Sequence, residues 1–474
     1  VMESLQTVSL TVTVQTSQGT MTSTIARNAQ TGGSYPKGHW KARQNRPIYE
    51  KHVPYFWLDS LYFHPSDQDS NRIEDILDNT TANSVNVVVA MNTCEVTNSI
   101  SNAAHLSQWG NVHFESQFLS VLSLSNVSTA SLASLAADTN VAMVFSDARR
   151  TVIASDTATY LHGLNYLAGG LLATVQNSWL PSERNGDLNM IGLFDTGRET
   201  TLAPGLWPYK SMDHRQYNAL TQQAVTPLDN NGHGRLMREL ITGEVDRTSC
   251  FPGAAPHAQI ADIKVADSLG RATRTDILRG MEYVLDSGDI KIVVFPIRYP
   301  GATWGHDPLS EMANVMVSQD IFCVSAAGND GNGRIQAPGA ARDVLTVGNA
   351  EYDNNFMVSL NPNSSTGSDM LYGENVWKPE VAGLGTRVPL HVTIDPSLKR
   401  TPVSGTSFAA GIVAGVAAVI RGVRSDLRPL AIKRLIMTTA KDIAPMGWDN
   451  KTGFGLADAH RAVDTLFNGK MFDL

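Results

Sequence analysis

The chain has 474 residues, more than a single hydrophobic core usually holds, so we expect one large domain with one or two smaller units. Its 42% apolar and 17% charged residues are typical of a soluble globular protein. A formal net charge of −8 disfavours nucleic-acid binding, because it gives no reason to expect a basic surface.

Signals for a membrane or for secretion are weak. The longest strongly apolar stretch, Phe408 to Ile420, falls short of the roughly 20 residues of a membrane span, so we expect a buried helix and no span. No signal peptide is visible at the start of the sequence. Cys94, Cys250 and Cys323 match neither a disulfide framework nor a zinc site, and we expect buried free thiols.

Residues 1–81 are predicted to form an N-terminal extension whose role the sequence does not indicate. Apolar and polar residues alternate from Val8 to Val14, which predicts a half-exposed strand. Glycine, proline and basic residues are mixed in 32–47, which is typical of a loop.

A change of pattern near residue 82 predicts a separate small domain over 82–153. Apolar runs and helical spacing alternate there in the order strand, helix, strand, helix, strand, which indicates an α+β domain. The predicted elements are a strand at 85–91, a helix at 100–109, a strand with a break at 112–124, a helix at 132–137 capped by Thr129, and a strand at 141–145.

From residue 155 onward, strands and helices alternate, which predicts a mostly parallel sheet with helices on both faces. The predicted strands are 190–194, 259–265, 290–297, 321–326 and 344–348, and one amphipathic helix carries the apolar positions Ile277, Leu278, Met281, Val284 and Leu285. In such sheets, functional residues gather at the carboxyl ends of the strands.

Two residues are candidates for proton transfer, and the first of them follows this rule. Asp195 comes directly after the strand 190–194 and before a Thr-Gly turn, where a carboxylate can orient a base. His233 stands between two glycines, and an imidazole can take and return a proton near neutral pH. Each residue taken alone has a simpler explanation, since aspartates stabilise turns and histidines occur in ordinary loops.

A candidate nucleophile and a candidate hydrogen-bond donor lie further along the chain. Ser407 begins an apolar helix within the segment 404–410, and the positive end of a helix stabilises developing negative charge. Asn329 follows the predicted strand 321–326 and can donate its side-chain amide to an oxyanion. A helix-capping serine and an asparagine in a glycine-rich turn are the simpler alternatives.

The order Asp, His, Asn, Ser, each in its own local string, resembles the subtilisin-like serine protease (subtilase) family, whose triad order is Asp, His, Ser. The resemblance covers about 155–467 and includes the segments 253–256, 377–381 and 453–459. It implies a subtilisin-like three-layer α/β peptidase domain over 155–474, with a mostly parallel central sheet.

The resemblance also implies the role of each residue. Asp195, His233 and Ser407 would form the catalytic triad, and Asn329 would be the side-chain donor of the oxyanion hole. The implied activity is that of a serine endopeptidase, which hydrolyses polypeptide substrates through an acyl-enzyme and needs no cofactor. Secretion, or another extracytoplasmic location, is an expectation from the family.

Residues 82–153 resemble the family's propeptide, an intramolecular chaperone and inhibitor whose tail lies in the active-site cleft. This similarity rests on the segments 132–138 and 141–147. It implies a self-processing proenzyme that is cut between about Ala148 and Thr159, and a permanently retained domain is the alternative.

The sequence departs from the family pattern at two places near the candidate site. Arg-Leu-Met follows His233-Gly234 at 235–237, where the family usually has threonine and then small or histidine residues. Gly411 stands where the family usually has proline. These departures leave the packing of the helix that starts at His233 open.

The substrate-binding residues are harder to assign. The family's substrate-binding edge strand corresponds to Pro-Ile-Arg-Tyr-Pro-Gly at 296–301, and its first proline has no N–H for pairing with an extended peptide. The candidates are Ile297, Arg298 and Tyr299 on this strand, and Ala326, Ala327 and Gly328 around a pocket for the residue before the cut.

No metal site is predicted for the candidate enzyme. Members of the family often bind calcium in loops, and one such loop corresponds to 243–252. Despite Glu244 and Asp246, this segment has no clear run of the oxygen ligands that calcium requires. Structural calcium is therefore possible for the family but unsupported by this sequence.

A different class of function is a pseudoprotease, a subtilisin-like scaffold kept for binding or regulation. Arg235 and the altered edge strand motivate it, whereas the four chemically competent residues oppose it. A serine esterase of the α/β-hydrolase type is a third possibility. It disagrees with the order of the acid and the base, and Ser407 lacks the Gly-x-Ser-x-Gly segment of that class.

Overall fold

The computed structural model describes residues 6–16, 19–29, 67, 69–92, 101–153, 190–198, 207–208, 215–225, 227–245, 250–251, 253–255, 258–301, 305–331, 333–352, 358–367, 378–390, 401–443 and 445–467. Residues 1–48 form one compact unit and residues 49–474 form another. In the first unit, β1 (Gln6–Thr16) and β2 (Gly19–Ala29) pair as an antiparallel hairpin. The strand predicted at 8–14 lies within β1.

The second unit begins with a small α+β part. Its strands are β3 (Ser84–Met91), β4 (Asn111–Glu115), β5 (Val121–Ser128) and β6 (Val141–Ser146), and its helices are α1 (Asp75–Asp78), α2 (Asn102–Leu106) and α3 (Leu132–Ala136). The strands form an antiparallel sheet in the order β4-β5-β3-β6. Ile73 and Leu77 pack into the same core as this sheet, so residues before 82 contribute to it.

The capping prediction for this part was wrong in one respect. Thr129 does not cap α3, because it opens a short 3₁₀ turn, Thr129–Ser131, that runs into the helix. Its hydroxyl donates to the carbonyl oxygen of Asn83 at 3.3 Å, so it is engaged with the sheet.

The larger part contains the elements that carry the candidate site. Its strands are β7 (Arg150–Thr151), β8 (Met190–Asp195), β9 (Trp207–Pro208), β10 (Gln216–Asn218), β11 (Glu244–Val245), β12 (Cys250–Phe251), β13 (Gln259–Lys264), β14 (Arg271–Ala272), β15 (Ile292–Phe295), β16 (Phe322–Ala326), β17 (Leu345–Tyr352), β18 (Val358–Leu360), β19 (Val381–Gly383), β20 (Val388–Leu390) and β21 (Thr401–Val403). Its helices are α4 (His233–Thr242), α5 (Arg274–Ser287), α6 (Pro308–Ser318), α7 (Thr406–Val423), α8 (Pro429–Thr439) and α9 (Ala459–Phe467).

The main sheet has the order β10-β13-β8-β15-β16-β17-β18, and β19 also pairs with β17. All of these pairings are parallel except that of β17 with β18. The five strands predicted from the sequence are all present, with ends that differ by a few residues. The expected mostly parallel α/β sheet is therefore confirmed.

Helices cover both faces of this sheet, which gives three layers. One face packs against α5 and α6, and the other packs against α4, α7 and α8. Within the described residues, α7 alone has the length and hydropathy of a membrane-span candidate, but 89% of it is buried inside the protein. Burial of this extent is the property of a core helix.

The small α+β sheet shares a core with the larger part. Val88, Val121 and Phe145 belong to the same buried cluster as Ile277 and Met281 of α5. The two parts therefore meet through apolar packing as well as through the polar contacts described below.

Candidate active site

Asp195 and His233 meet at the carboxyl end of the main sheet. Asp195 is the last residue of β8, a strand in which every residue is buried, and is only 1% exposed. Nδ1 of His233 lies 2.9 Å from both carboxylate oxygens of Asp195. A carboxylate only accepts hydrogen bonds, so Nδ1 carries the hydrogen and Nε2 of the neutral ring is left as the acceptor.

Asp229, which the sequence reasoning missed, anchors the start of the helix that carries His233. One of its carboxylate oxygens accepts hydrogen bonds from the N–H groups of Asn231 and Gly232, at 2.9 and 2.8 Å. The other accepts from the N–H of Arg235 at 2.9 Å. The N-cap position of this helix is Gly232, three residues after Asp229, so a capping pattern in the sequence would not have identified Asp229.

The turn after Asp195 contacts the start of α4. A Cβ atom on Gly234 would lie 2.2 Å from the carbonyl oxygen of Gly197, so only glycine fits where the two backbones meet. The hydroxyl of Thr196 accepts from the N–H of Gly234 at 3.0 Å and donates to Asp229 at 2.9 Å. These contacts fix the histidine ring against the aspartate.

The surroundings of His233 favour its protonated form. Burial of the ring lowers its pKa, but the negative charge of Asp195, the hydrogen bond to it and the charge of Asp229 together raise the pKa above its ordinary value. The ring also lies against Phe408, with 5.9 Å between ring centroids, and Phe408 is the neighbour of Ser407.

Ser407 lies in the first turn of α7 and is 5% exposed. Its hydroxyl donates to the carbonyl oxygen of Pro296 at 2.7 Å. Pro296 directly follows β15, so the serine is held at the carboxyl end of a central strand of the main sheet. The sequence indicated that Pro296 lacks an N–H, but the relevance of its carbonyl oxygen required the three-dimensional structure.

Asn329 follows β16 and is oriented by the start of α7. Its Oδ1 accepts hydrogen bonds from both the N–H and the hydroxyl of Thr406, each at 2.9 Å. Because the oxygen of the amide is occupied in this way, Nδ2 is left to donate elsewhere. The hydroxyl of Thr406 also accepts a hydrogen bond from the N–H of Gly328 at 3.1 Å. Thr406 was not singled out from the sequence.

The two departures near the candidate site compensate for each other. A Cβ atom on Gly411 would lie 2.6 Å from Cε of Met237 and 2.9 Å from Leu240. Glycine on α7 therefore makes room for the long methionine side chain on α4. The question that the sequence left open about packing of the histidine helix has a steric answer in this pair.

The substrate-binding candidates fall into two groups. Ile297, Tyr299, Ala326 and Ala327 are buried, and the Tyr299 hydroxyl donates to the carbonyl oxygen of Ala148 at 2.5 Å. Arg298 is the partly exposed member, and its side chain crosses Gly328. The absence of an N–H at Pro296 does not prevent this segment from pairing with an extended chain, because the N–H of Arg298 donates to the carbonyl oxygen of Val152 at 3.0 Å.

Among the described residues, one group of carboxylates could hold a metal ion. Single oxygens of Asp67, Asp69 and Asp75 all lie within 4.8 Å of one another. Asp67, Asp69, Asn71 and Asp78 also have the spacing of oxygen ligands in a twelve-residue calcium loop. Exposed acidic groups are common without an ion, so this group alone assigns no metal.

Other predictions for metals and thiols are only partly covered by the described residues. The side chains of Glu244, Asp246 and Cys250, and all of Cys94, lie outside them. Cys323 is a buried free thiol, and burial raises its pKa well above the ordinary value.

A parallel α/β sheet that places an aspartate–histidine pair near a serine at a helix start and an oriented asparagine amide has the parts of a serine hydrolase. Residues 187–455 match the Subtilase family, peptidase S8. This match covers more than half of the chain, so the chain belongs to the subtilase family. It is a subtilisin-like serine endopeptidase.

Individual relatives agree with this membership. The chain is 28% identical to the serine protease AprX of Bacillus subtilis (strain 168) over 305 residues, which are 56% of this chain and 67% of AprX. It is 30% identical to thermitase of Thermoactinomyces vulgaris over 241 residues, which are 50% of this chain and 77% of thermitase.

A solved structure supports the same fold. Fervidolysin from Fervidobacterium pennivorans, described as a keratinolytic enzyme related to subtilisin, superposes with a TM-score of 0.59 at 20% identity. The similarity covers 80% of this chain and 61% of the fervidolysin chain. The subtilisin-like fold class predicted from the sequence is thereby confirmed.

Proposed function

We propose that Asp195, His233 and Ser407 are the catalytic triad of this protease and that Asn329 donates to the oxyanion. The observation that carries the proposal is the pair of 2.9 Å contacts between Nδ1 of His233 and the Asp195 carboxylate. This contact sets the tautomer in which Nε2 can accept a proton from the serine.

In the proposed mechanism, Ser407 attacks the peptide carbonyl while His233 takes the proton of its hydroxyl. Asp195 stabilises the imidazolium that forms, and the amide of Asn329 and the N–H of Ser407 receive the oxyanion. His233 then gives the proton to the leaving amine. Water, activated by the same histidine, hydrolyses the acyl-enzyme and restores the serine.

The hydroxyl of Ser407 must turn before it can react. It donates to the carbonyl oxygen of Pro296 at 2.7 Å, and this bond has to be exchanged for one to Nε2 of His233. Such a rotation is a change of one side-chain torsion angle, and catalytic hydrogen bonds commonly form only once substrate is bound.

We further propose that the N-terminal α+β part inhibits the protease by occupying its cleft. The tail of this part pairs through β7 with β14, antiparallel, and the N–H of Val152 donates to Gly270 at 2.9 Å. On the other side, Val152 accepts from Arg298 at 3.0 Å. An extended segment held between two backbone edges in this way is in the position of a bound peptide.

The same contacts narrow the proposed point of self-cleavage. Residues Ala148 to Ile153 are hydrogen-bonded to the peptidase part, so we place the cut beyond them, at a bond that follows residue 154 or a later one within the predicted interval 148–159. Secretion of the protease is part of the proposal as well, and one relative is named a cell wall-associated protease of Bacillus subtilis.

The test combines a fluorophosphonate probe, which labels an activated serine, with intact-mass analysis before and after incubation at neutral pH. We expect the intact mass of the wild-type chain to fall by about its first 150 residues, and the chain to be labelled once the N-terminal part has been removed. The Ser407→Ala variant should show neither change, with residual hydrolysis about 10⁶-fold below wild type, the order known for the nucleophile of subtilisin itself.

The alternative outcome defines the pseudoprotease. If a folded wild-type chain is not labelled, even after limited proteolysis has removed the N-terminal part, the proposed mechanism is wrong and a binding or regulatory role is favoured. If labelling occurs without a loss of mass, the triad stands and the N-terminal part is a permanently retained domain.

Replacing Asn329 by alanine should lower kcat by about 10² to 10³-fold, the range established for loss of an oxyanion donor in subtilisin. KM should change little, because the amide acts on charge that develops in the transition state. Steady-state kinetics with a peptide p-nitroanilide measures both constants. An equal loss in kcat and gain in KM would instead indicate a disturbed fold, since Asn329 also holds the start of α7.

A further inference from the structure

Arg298 and Gly328 lie side by side next to the proposed site. Phe295, the last residue of β15, pairs with Ser325 of β16. Three residues further on, Cδ of Arg298 lies 3.1 Å from the point that a Cβ atom on Gly328 would occupy. Gly328 directly precedes Asn329, so the Arg298 side chain runs beside the proposed oxyanion donor.

The guanidinium of Arg298 is anchored at its far end. One terminal nitrogen donates to Oε1 of Gln336 at 2.7 Å, and the other donates to Oδ1 of Asp330 at 2.8 Å. The side chain is 18% exposed. An arginine that is packed along a glycine and bonded at its tip has little freedom to swing away.

The backbone of the same residue faces the peptide-binding side. Its N–H donates to Val152, in the tail that we propose as a bound peptide. We infer that the anchored side chain of Arg298 fills the pocket for the residue before the cut, so that the protease selects a small residue there. This inference rests on the proposed function and assigns a specificity-determining role to Arg298.

Recognition of an acidic substrate side chain is the other role that an arginine could have. The charge of Arg298 is already balanced by the nearby carboxylate of Asp330, and Gln336 occupies a second donor. An acidic group entering the pocket would also approach Asp330, which repels it. Filling of the pocket therefore explains the contacts better than recognition of charge does.

The sequence next to the proposed self-cleavage point is consistent with this inference. Ala154 and Ser155 follow Ile153, and both have small side chains. A protease that accepts only small residues before the cut could therefore process its own chain here.

The test uses the processed protease and p-nitroanilide peptides that differ only in the residue before the scissile bond, which is alanine, phenylalanine or glutamate. We expect wild-type kcat/KM to be at least tenfold higher for alanine than for phenylalanine. Arg298→Ala should open the pocket and raise the phenylalanine-to-alanine ratio at least tenfold. Arg298→Met keeps most of the volume without the charge, and it should retain the preference for alanine.

Two results would overturn the inference. One is an unchanged phenylalanine-to-alanine ratio in Arg298→Ala. The other is a wild-type preference for glutamate that both variants lose, because that pattern indicates recognition of charge. Should Arg298→Ala fail to fold, Gln336→Ala frees one end of the guanidinium and is expected to shift the ratio in the same direction by a smaller factor.

The fluorophosphonate probe separates failure of this inference from failure of the proposed function. A labelled wild-type protease without the alanine preference contradicts only the role of Arg298. Absence of both labelling and hydrolysis contradicts the catalytic proposal and the role of Arg298 with it.

Discussion

Asp195→Asn is expected to lower kcat by about 10⁴-fold, the order known for the same change in another triad protease. The asparagine has the size of the aspartate and leaves the buried end of β8 filled. Its amide, however, can donate to Nδ1 of His233, and the hydrogen then moves to Nε2. A ring with its hydrogen on Nε2 cannot take a proton from Ser407.

The same variant should also change the pH dependence of the residual activity. The charge of Asp195 works against burial and raises the pKa of His233. Without that charge, burial lowers the pKa, so the neutral ring persists to more acidic pH. The acidic limb of the kcat/KM profile should therefore move to lower pH. A loss below tenfold with an unchanged limb would contradict the proposed role of Asp195.

The second large effect concerns the buried ion pair between the two parts of the chain. Arg274, at the start of α5, is 2% exposed and donates to both carboxylate oxygens of Glu74, at 2.6 and 2.8 Å. Burial lowers the pKa of Arg274, but the charge of Glu74 and its hydrogen bonds outweigh burial and raise it. The guanidinium therefore stays charged in the core.

Glu74→Gln leaves that charge buried without its partner and should destabilise the protein by about 3 to 5 kcal/mol. Urea denaturation, carried out on the Ser407→Ala background to prevent self-digestion, measures this loss. A matched control is Asp426→Asn, which breaks the solvent-exposed pair with Arg424 and should cost less than about 1 kcal/mol. Equal effects of the two variants would show that the Glu74 pair contributes no more than a surface pair.

The strands, together with Asp195 and Asn329, could be predicted because their signals are local. A buried run of apolar residues predicts a strand, and the residues that follow it lie at the carboxyl end of that strand, independently of the rest of the sequence. Asp195 and Asn329 were located in this way. His233 and Ser407 needed the resemblance to a family, because a histidine or a serine at a helix start is common in proteins without this chemistry.

What could not be predicted depends on contacts between distant segments. Glu74 and Arg274 are 200 positions apart, and nothing in either local string indicates the other. The fit of Met237 against Gly411 is similar, since each residue alone reads as a departure from the family. The hydrogen bond from Ser407 to Pro296 depends on the arrangement of a helix and a sheet edge, which only the folded chain defines.

Because the small sheet shares a core with α5, cutting the chain and releasing the N-terminal part are two separate events. Breaking a single peptide bond beyond Ile153 would leave intact both the buried cluster that contains Phe145 and Ile277 and the Glu74–Arg274 pair. A nicked molecule would therefore keep its N-terminal part bound, and would elute in size-exclusion chromatography at the position of the uncut chain. Activity would then appear only when the bound part is itself digested or unfolded, so its lifetime, and not the rate of the cut, would time activation.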